Sequence, residues 1–178
     1  VVLTDYPDAE LLENLRHNVQ VNVPDTQRHI IDVEGYTWGR RVAPLLSCLP
    51  LNSPGFDLII LSDLVFNHGQ VRPSALFSLN VLIHALKHEA LLTTCEQVLA
   101  PIQNGDNTTS PCVLVFYSHH RPWLAQKDAA IFHLAEQRGW KCGKILERKY
   151  TVGPSYYVLL RQNADNFGLA NVSGRWRG

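Results

Sequence analysis

Four groups of polar and aromatic residues stand where apolar runs end, and their types define the chemistry open to this chain. Asp5 directly follows Val1-Val2-Leu3-Thr4. A carboxylate beyond the carboxyl end of a strand in a doubly wound sheet can accept both hydroxyls of a ribose. The competing role is turn formation, for which Asp5-Tyr6-Pro7-Asp8 is well suited. Glu34-Gly35-Tyr36-Thr37-Trp38-Gly39 follows a second run. Its glycines let the backbone approach a ligand, and its indole offers a flat face to an adenine ring, although a tryptophan in a loop more often serves as a core aromatic. The stretch from Phe56 to His68 delivers Ser62, Asp63, Asn67 and His68 to one sheet edge. Such a cluster can bind an amine and hold it for an in-line displacement, or it can cap and turn the chain. The last group, Phe116 to Trp123, suits the lip of a substrate site. His119 and His120 do not read as a metal pair, because neighbours on an extended chain point to opposite faces and no third ligand is suitably spaced.

The elements that must carry these groups alternate between two kinds. Val1–Thr4, His29–Val33, Leu58–Ser62 and Cys112–Tyr117 are nearly continuous apolar runs, the pattern of strands covered on both faces. Lys144–Leu146 and Ser155–Leu160 are two further strand candidates. Between them, Asp8–Gln20 sets Leu11, Leu12, Leu15 and Val19 at helical spacing behind Asp8 as N-cap. His88–Ala100 repeats the pattern with Leu91, Leu92, Cys95, Val98 and Leu99, and Pro101 stops it. Leu124–Arg138 places Ile131, Leu134 and Ala135 on one face and ends at Gly139. This alternation predicts an α/β class with a mostly parallel sheet. Gln103–Ser110 is a polar, solvated turn.

Composition narrows the partners. The 178 residues suffice for one domain with a sizeable core. Sixteen basic and sixteen acidic side chains cancel, so nothing favours a nucleic-acid partner. No apolar run is long enough to span a bilayer, and no signal peptide is seen, which predicts a cytoplasmic protein. The four cysteines are widely spaced and predict buried free thiols, not a metal or disulfide framework. The Asn107-Thr108-Thr109 and Asn171-Val172-Ser173 triplets are chance matches to a glycosylation signal. There is no P-loop, GxGxxG or nucleophile elbow. Methionine is absent, even at position 1, which suggests a fragment.

Taken in order, Val2–Asp8, Glu34–Gly39, Leu58–His68 and the His120-Arg121-Pro122 turn resemble the fungal nicotinamide N-methyltransferase-like proteins over about residues 1–148. Within that group the chain looks most like the members that methylate N-terminal and lysine amines of translation elongation factor one alpha. The resemblance implies a Rossmann-like seven-stranded methyltransferase fold that uses S-adenosyl-L-methionine, works as a monomer and takes a protein substrate. On this basis Asp5 would bind the cofactor ribose, Trp38 would lie beside the adenine, and Ser62 would border the cofactor. Asp63 to Phe66 looks like the family's Asp-x-x-aromatic motif, and Asp63, Asn67 and Tyr117 would place the substrate amine. Methylation of a small pyridine such as nicotinamide, and a non-catalytic remnant or mis-spliced product, are the other readings.

Three departures from the family pattern accompany the resemblance. The first strand and its Gly-rich loop are expected before Val1. That strand would be the central one, so the Val1 and Leu58 strands are expected to lack a shared neighbour. Residues 71–87 form an atypical insertion, whose length and Gln70-Val71-Arg72 junction fit a translated intron. An ordinary helical insertion is the alternative, and a mature transcript encoding these residues would rule the intron out. Beyond Tyr150 the chain does not match the family's closing strands, although Tyr156–Leu160 can form a late strand; the methyltransferase domain is expected to cover residues 1–162, with an irregular tail at 163–178.

Overall fold

In a computed structural model, the structure describes residues 1–64, 77–102, 110–118, 125–147 and 154–161. Among the described residues there are six strands and five helices. They are β1 (Val2–Asp5), α1 (Ala9–Asn22), α2 (Asp25–Arg28), β2 (Asp32–Gly35), α3 (Ala43–Ser47), β3 (Leu58–Ser62), α4 (Phe77–Val98), β4 (Cys112–Ser118), α5 (Ala125–Gln137), β5 (Trp140–Glu147) and β6 (Pro154–Arg161).

The strands form two sheets, β1-β2 and β3-β4-β6-β5. The β1–β2 and β3–β4 pairs are parallel, while β6 runs antiparallel to both β4 and β5. In the four-stranded sheet β3, β4 and β5 therefore run in one direction and β6 in the other, in keeping with the expected mostly parallel sheet. A short link joins β5 to β6, and such a link permits only an antiparallel return, because parallel neighbours need a long crossover.

The core lies on one face of β3 and β4. Alternation sends Leu61, Val113, Val115 and Tyr117 inward, where they meet Leu91, Leu92 and Cys95 of α4 and Ile131, Phe132 and Ala135 of α5. A second cluster joins Tyr36, Leu45 and Val98, and Trp38 and Ile59 pack against both. Arg138, just past α5, fastens the layers: its guanidinium donates to Thr93 Oγ1 at 3.1 Å and to Glu96 Oε2 at 3.2 Å, and it also pairs with Glu89. Trp140 Nε1 donates to the other Glu96 oxygen at 3.0 Å.

Helix boundaries follow local chemistry. Asp8 Oδ1 accepts from the backbone N–H of Glu10 at 3.0 Å and of Leu11 at 3.2 Å, the expected N-cap of α1. Asp8→Ala is expected to lower stability by about 1 kcal/mol, read as a shift in the urea midpoint. Gly139 takes φ +83° and closes α5 by donating to Glu136 O at 3.0 Å. β2 begins at Asp32, later than the expected 29–33 run, because Pro24 opens the short α2 and Ile30 and Ile31 donate back to Gln27 and Arg28 in the closing turn. The α4 helix begins at Phe77, inside the 71–87 insertion. The 163–178 tail lies outside the described residues.

Candidate functional site

β1 and β2 present their carboxyl ends side by side. The register sets Asp5 opposite Gly35, and the next amide, Tyr36 N–H, donates to Asp5 O at 2.8 Å. The Asp5 carboxylate is exposed at this tip and accepts from Tyr6 N–H at 2.7 Å, which orients it within the turn. A β-carbon on Gly35 would lie 3.0 Å from Pro7 Cα, Pro7 Cβ and Leu12 Cδ1. The absence of a side chain at position 35 is therefore what lets the Asp5–Pro7 turn settle onto β2.

Trp38 follows on the same tip. Its ring meets that of buried Tyr36 edge-on, with centroids 5.8 Å apart and planes at 82°. The Tyr36 hydroxyl donates to Arg40 O at 2.7 Å, closing the loop on itself. Trp38 lines a cavity of about 110 Å³ together with Val2 and Thr4 of β1 and Leu58 and Ile60 of β3. Asp5 stands at the end of the strand that forms one wall. The cavity is smaller than the roughly 300–1,000 Å³ usual for ligand sites, so these residues form an open wall and do not enclose a ligand.

The cavity is also where the two sheets fail to join. β1 and β3 share no ladder. Leu58 and Ile60 are 47% and 58% exposed, although strands of this kind ordinarily bury both faces.

At the β3 tip, Ser62 is exposed and pairs with Phe116 in the register. Asp63 is exposed too and adopts φ +51°, with its N–H donating to Phe116 O at 2.8 Å. Aspartate tolerates this left-handed geometry better than most residues, and it swings the chain off the sheet edge with the carboxylate outside the core. Asn67, His68, His119 and His120 lie outside the described residues. Tyr117 is a correction. As a candidate for substrate placement it should lie open at the tip of β4, but alternation turns it inward, 1% exposed and 5.7 Å from the Phe132 ring.

Sequence reasoning missed Thr94, a buried hydroxyl on α4 that contacts the Trp38 loop. The available signal was a polar residue inside an apolar stripe, three positions from Leu91 and four from Val98.

Burial pushes the Cys95 thiol up to about 12 and the Cys142 thiol to about 11, and it raises Cys48 and Cys112 as well. Such thiols stay protonated and unreactive at neutral pH. In native protein at pH 8, Cys95 and Cys142 are expected to resist an aromatic disulfide reagent and to react promptly once urea unfolds the chain. Rapid labelling of Cys95 in folded protein would contradict this packing. Among the described residues, no group of three His, Cys, Asp or Glu could hold a metal ion, and no helix is long and apolar enough to cross a membrane.

Residues 1–104 match a family described as lysine methyltransferases. The chain belongs to that family. The match spans β1, β2 and β3 with their tip residues, so Asp5, Trp38 and Asp63 all fall within it. The chain's α/β topology is accordingly the Rossmann-like methyltransferase class. Three similar curated proteins bear the name protein N-terminal and lysine N-methyltransferase EFM7. The Cryptococcus neoformans protein is 41% identical over 157 residues, covering 83% of this chain and 46% of its own length. The Eremothecium gossypii protein is 36% identical over 179 residues, covering 98% of this chain and 55% of its own. The Schizosaccharomyces pombe protein is 34% identical over 152 residues, covering 85% and 50% respectively. This lysine methyltransferase family member thus spans about half the length of the curated relatives it matches.

Proposed function

We propose that this chain supplies the adenosine wall and the substrate tip of an S-adenosyl-L-methionine-dependent N-methyltransferase that modifies N-terminal and lysine amines of a protein, translation elongation factor one alpha. One observation carries the reading: a carboxylate and an indole sit at the carboxyl tips of adjacent, hydrogen-bonded parallel strands, with the indole on a cavity wall. The shared name of the relatives supports protein amines as substrate, and the sequence resemblance adds the elongation factor. The balanced charge fits a protein partner better than nucleic acid. The reading places the enzyme in the cytoplasm as a monomer.

The residues fit their roles chemically. Asp5 offers carboxylate oxygens to vicinal ribose hydroxyls, and Trp38 offers a π face to adenine. Ser62 borders the same cofactor. The cofactor supplies an electrophilic methyl group on a sulfonium. Attack on it requires a neutral amine held in line, and positioning is the main contribution a protein makes to such a step. Asp63 and Asn67 are assigned to hold that amine. Asp63→Asn preserves a residue that tolerates positive φ, so it is expected to leave the melting temperature nearly unchanged while lowering kcat about 100-fold. Unchanged turnover would remove Asp63 from the site.

The methionine end of the cofactor needs more than these residues provide. The reading assigns it to polypeptide that fills the β1–β3 slot as a strand, which would also cover Leu58 and Ile60. The test is titration with S-adenosylhomocysteine of the 178-residue chain alone and of the protein expressed from its full open reading frame. Micromolar binding by the latter and little or none by the former is the expected result. Micromolar binding by the isolated chain would overturn the slot assignment. Assays with elongation factor and with nicotinamide separate the protein substrate from the small-molecule alternative.

A further inference from the structure

We propose that Thr94 of α4 is a positioning residue that sets the Trp38 indole for the cofactor, an inference that rests on Trp38 stacking against adenine. Thr94 is 2% exposed. Its Oγ1 accepts from Gly39 N–H at 2.9 Å, donates its one proton to Ala90 O at 3.0 Å in the preceding helical turn, and stands 3.3 Å from the Tyr36 hydroxyl, whose own proton goes to Arg40 O.

One buried oxygen therefore ties the Gly39 flank of Trp38 to the long helix and lies against the Tyr36 flank. On one side is Tyr36, whose ring meets the indole edge-on. On the other is Gly39, held at φ +79° so close to α4 that a β-carbon would lie 2.9 Å from Ala90 Cβ. If the loop moved away, the buried threonine oxygen would lose the donor it accepts from and the Gly39 amide would lose its protein acceptor, which is costly at the buried oxygen. Thr94 and Trp38 also line the same cavity, so the tether acts at the place where adenine is assigned. The α4 helix thereby fixes the height and tilt of the indole relative to the β1 tip.

Thr94→Val keeps the shape and removes the oxygen. In the protein expressed from its full open reading frame, it is expected to weaken S-adenosylhomocysteine binding about fivefold, the effect of one lost hydrogen bond, and to raise KM for S-adenosyl-L-methionine with kcat nearly unchanged. Thr94→Ser keeps the oxygen and should restore both values. The decisive readout is a double-mutant cycle with Trp38→Leu: once the indole is gone, removing the Thr94 oxygen should have no further effect on affinity. Equal losses from Thr94→Val in both backgrounds would overturn the proposal, because they would mark a general structural defect. Should Thr94→Val not fold, protection of the Gly39 amide from hydrogen exchange in Thr94→Ser and wild type, set against Thr94→Ala, replaces it; equal protection in all three would also overturn the tether. If Trp38→Leu alone leaves affinity unchanged, the adenine reading itself fails and this inference falls with it.

Discussion

Trp38→Leu is expected to weaken S-adenosylhomocysteine binding about tenfold or more, while the melting temperature moves by only a few degrees. Stacking of a base on an aromatic side chain contributes about 1–3 kcal/mol, and about 1.4 kcal/mol corresponds to tenfold in affinity. Leucine retains apolar bulk where Trp38 packs against both core clusters, so the deletion falls on the π face. Isothermal titration of the protein from the full open reading frame provides the affinity, and calorimetric melting checks that the fold survives. A large drop in melting temperature without loss of affinity would mark Trp38 as a core aromatic and nothing more.

Gly55→Ala should produce the largest loss of stability of any single methyl addition in the described chain. Gly55 is buried at φ +155°, and a β-carbon there would lie 2.7 Å from Ala100 N, 2.7 Å from Val98 O and 2.9 Å from Ala100 Cα. All three are backbone atoms that cannot rotate aside. They belong to the clip that joins the entry to β3 with the end of α4, in which Phe56 N–H donates to Val98 O at 2.8 Å and Ala100 N–H donates to Phe56 O at 2.9 Å. Overpacking costs about 1–3 kcal/mol, and a backbone forced outside its allowed region costs about 1–3 kcal/mol more. A loss of about 3 kcal/mol lowers the melting temperature of a chain this size by roughly 6–12 °C. Calorimetry measures it, and a change under about 2 °C would show that the clip is looser than the geometry states. The same substitution at Gly139, where a β-carbon meets nothing within 4 Å but φ is +83°, isolates the backbone component from the packing component.

Much of the architecture was legible because periodicity reports burial. The runs at β1, β3 and β4, the caps at Asp8 and Gly139, and the inward stripe of α4 all follow from one rule, that apolar spacing must match the element presenting it. The lapses have local causes. The apolar residues before β2 belong to a turn closed by backbone hydrogen bonds, which hydropathy does not register. The short α2 and α3 carry too few residues for a period to show. Tyr117 was misassigned because a residue near a strand tip can point either way, and alternation from Val113 and Val115 decides it for the core. Of the candidate site, Asp5, Trp38, Ser62 and Asp63 do stand at strand tips. The contacts that hold those tips in place, Pro7 on Gly35 and Thr94 on Gly39, join residues far apart in sequence. They become visible only when packing brings a missing side chain against a neighbour.

The adenosine wall is most directly tested by a crystal structure of the protein, expressed from its full open reading frame, in complex with S-adenosylhomocysteine. Adenine lying against the Trp38 ring, with the ribose hydroxyls within hydrogen-bond distance of the Asp5 carboxylate, is the result this account predicts. A cofactor bound elsewhere, with Asp5 facing solvent and Trp38 unchanged among its core neighbours, would contradict it.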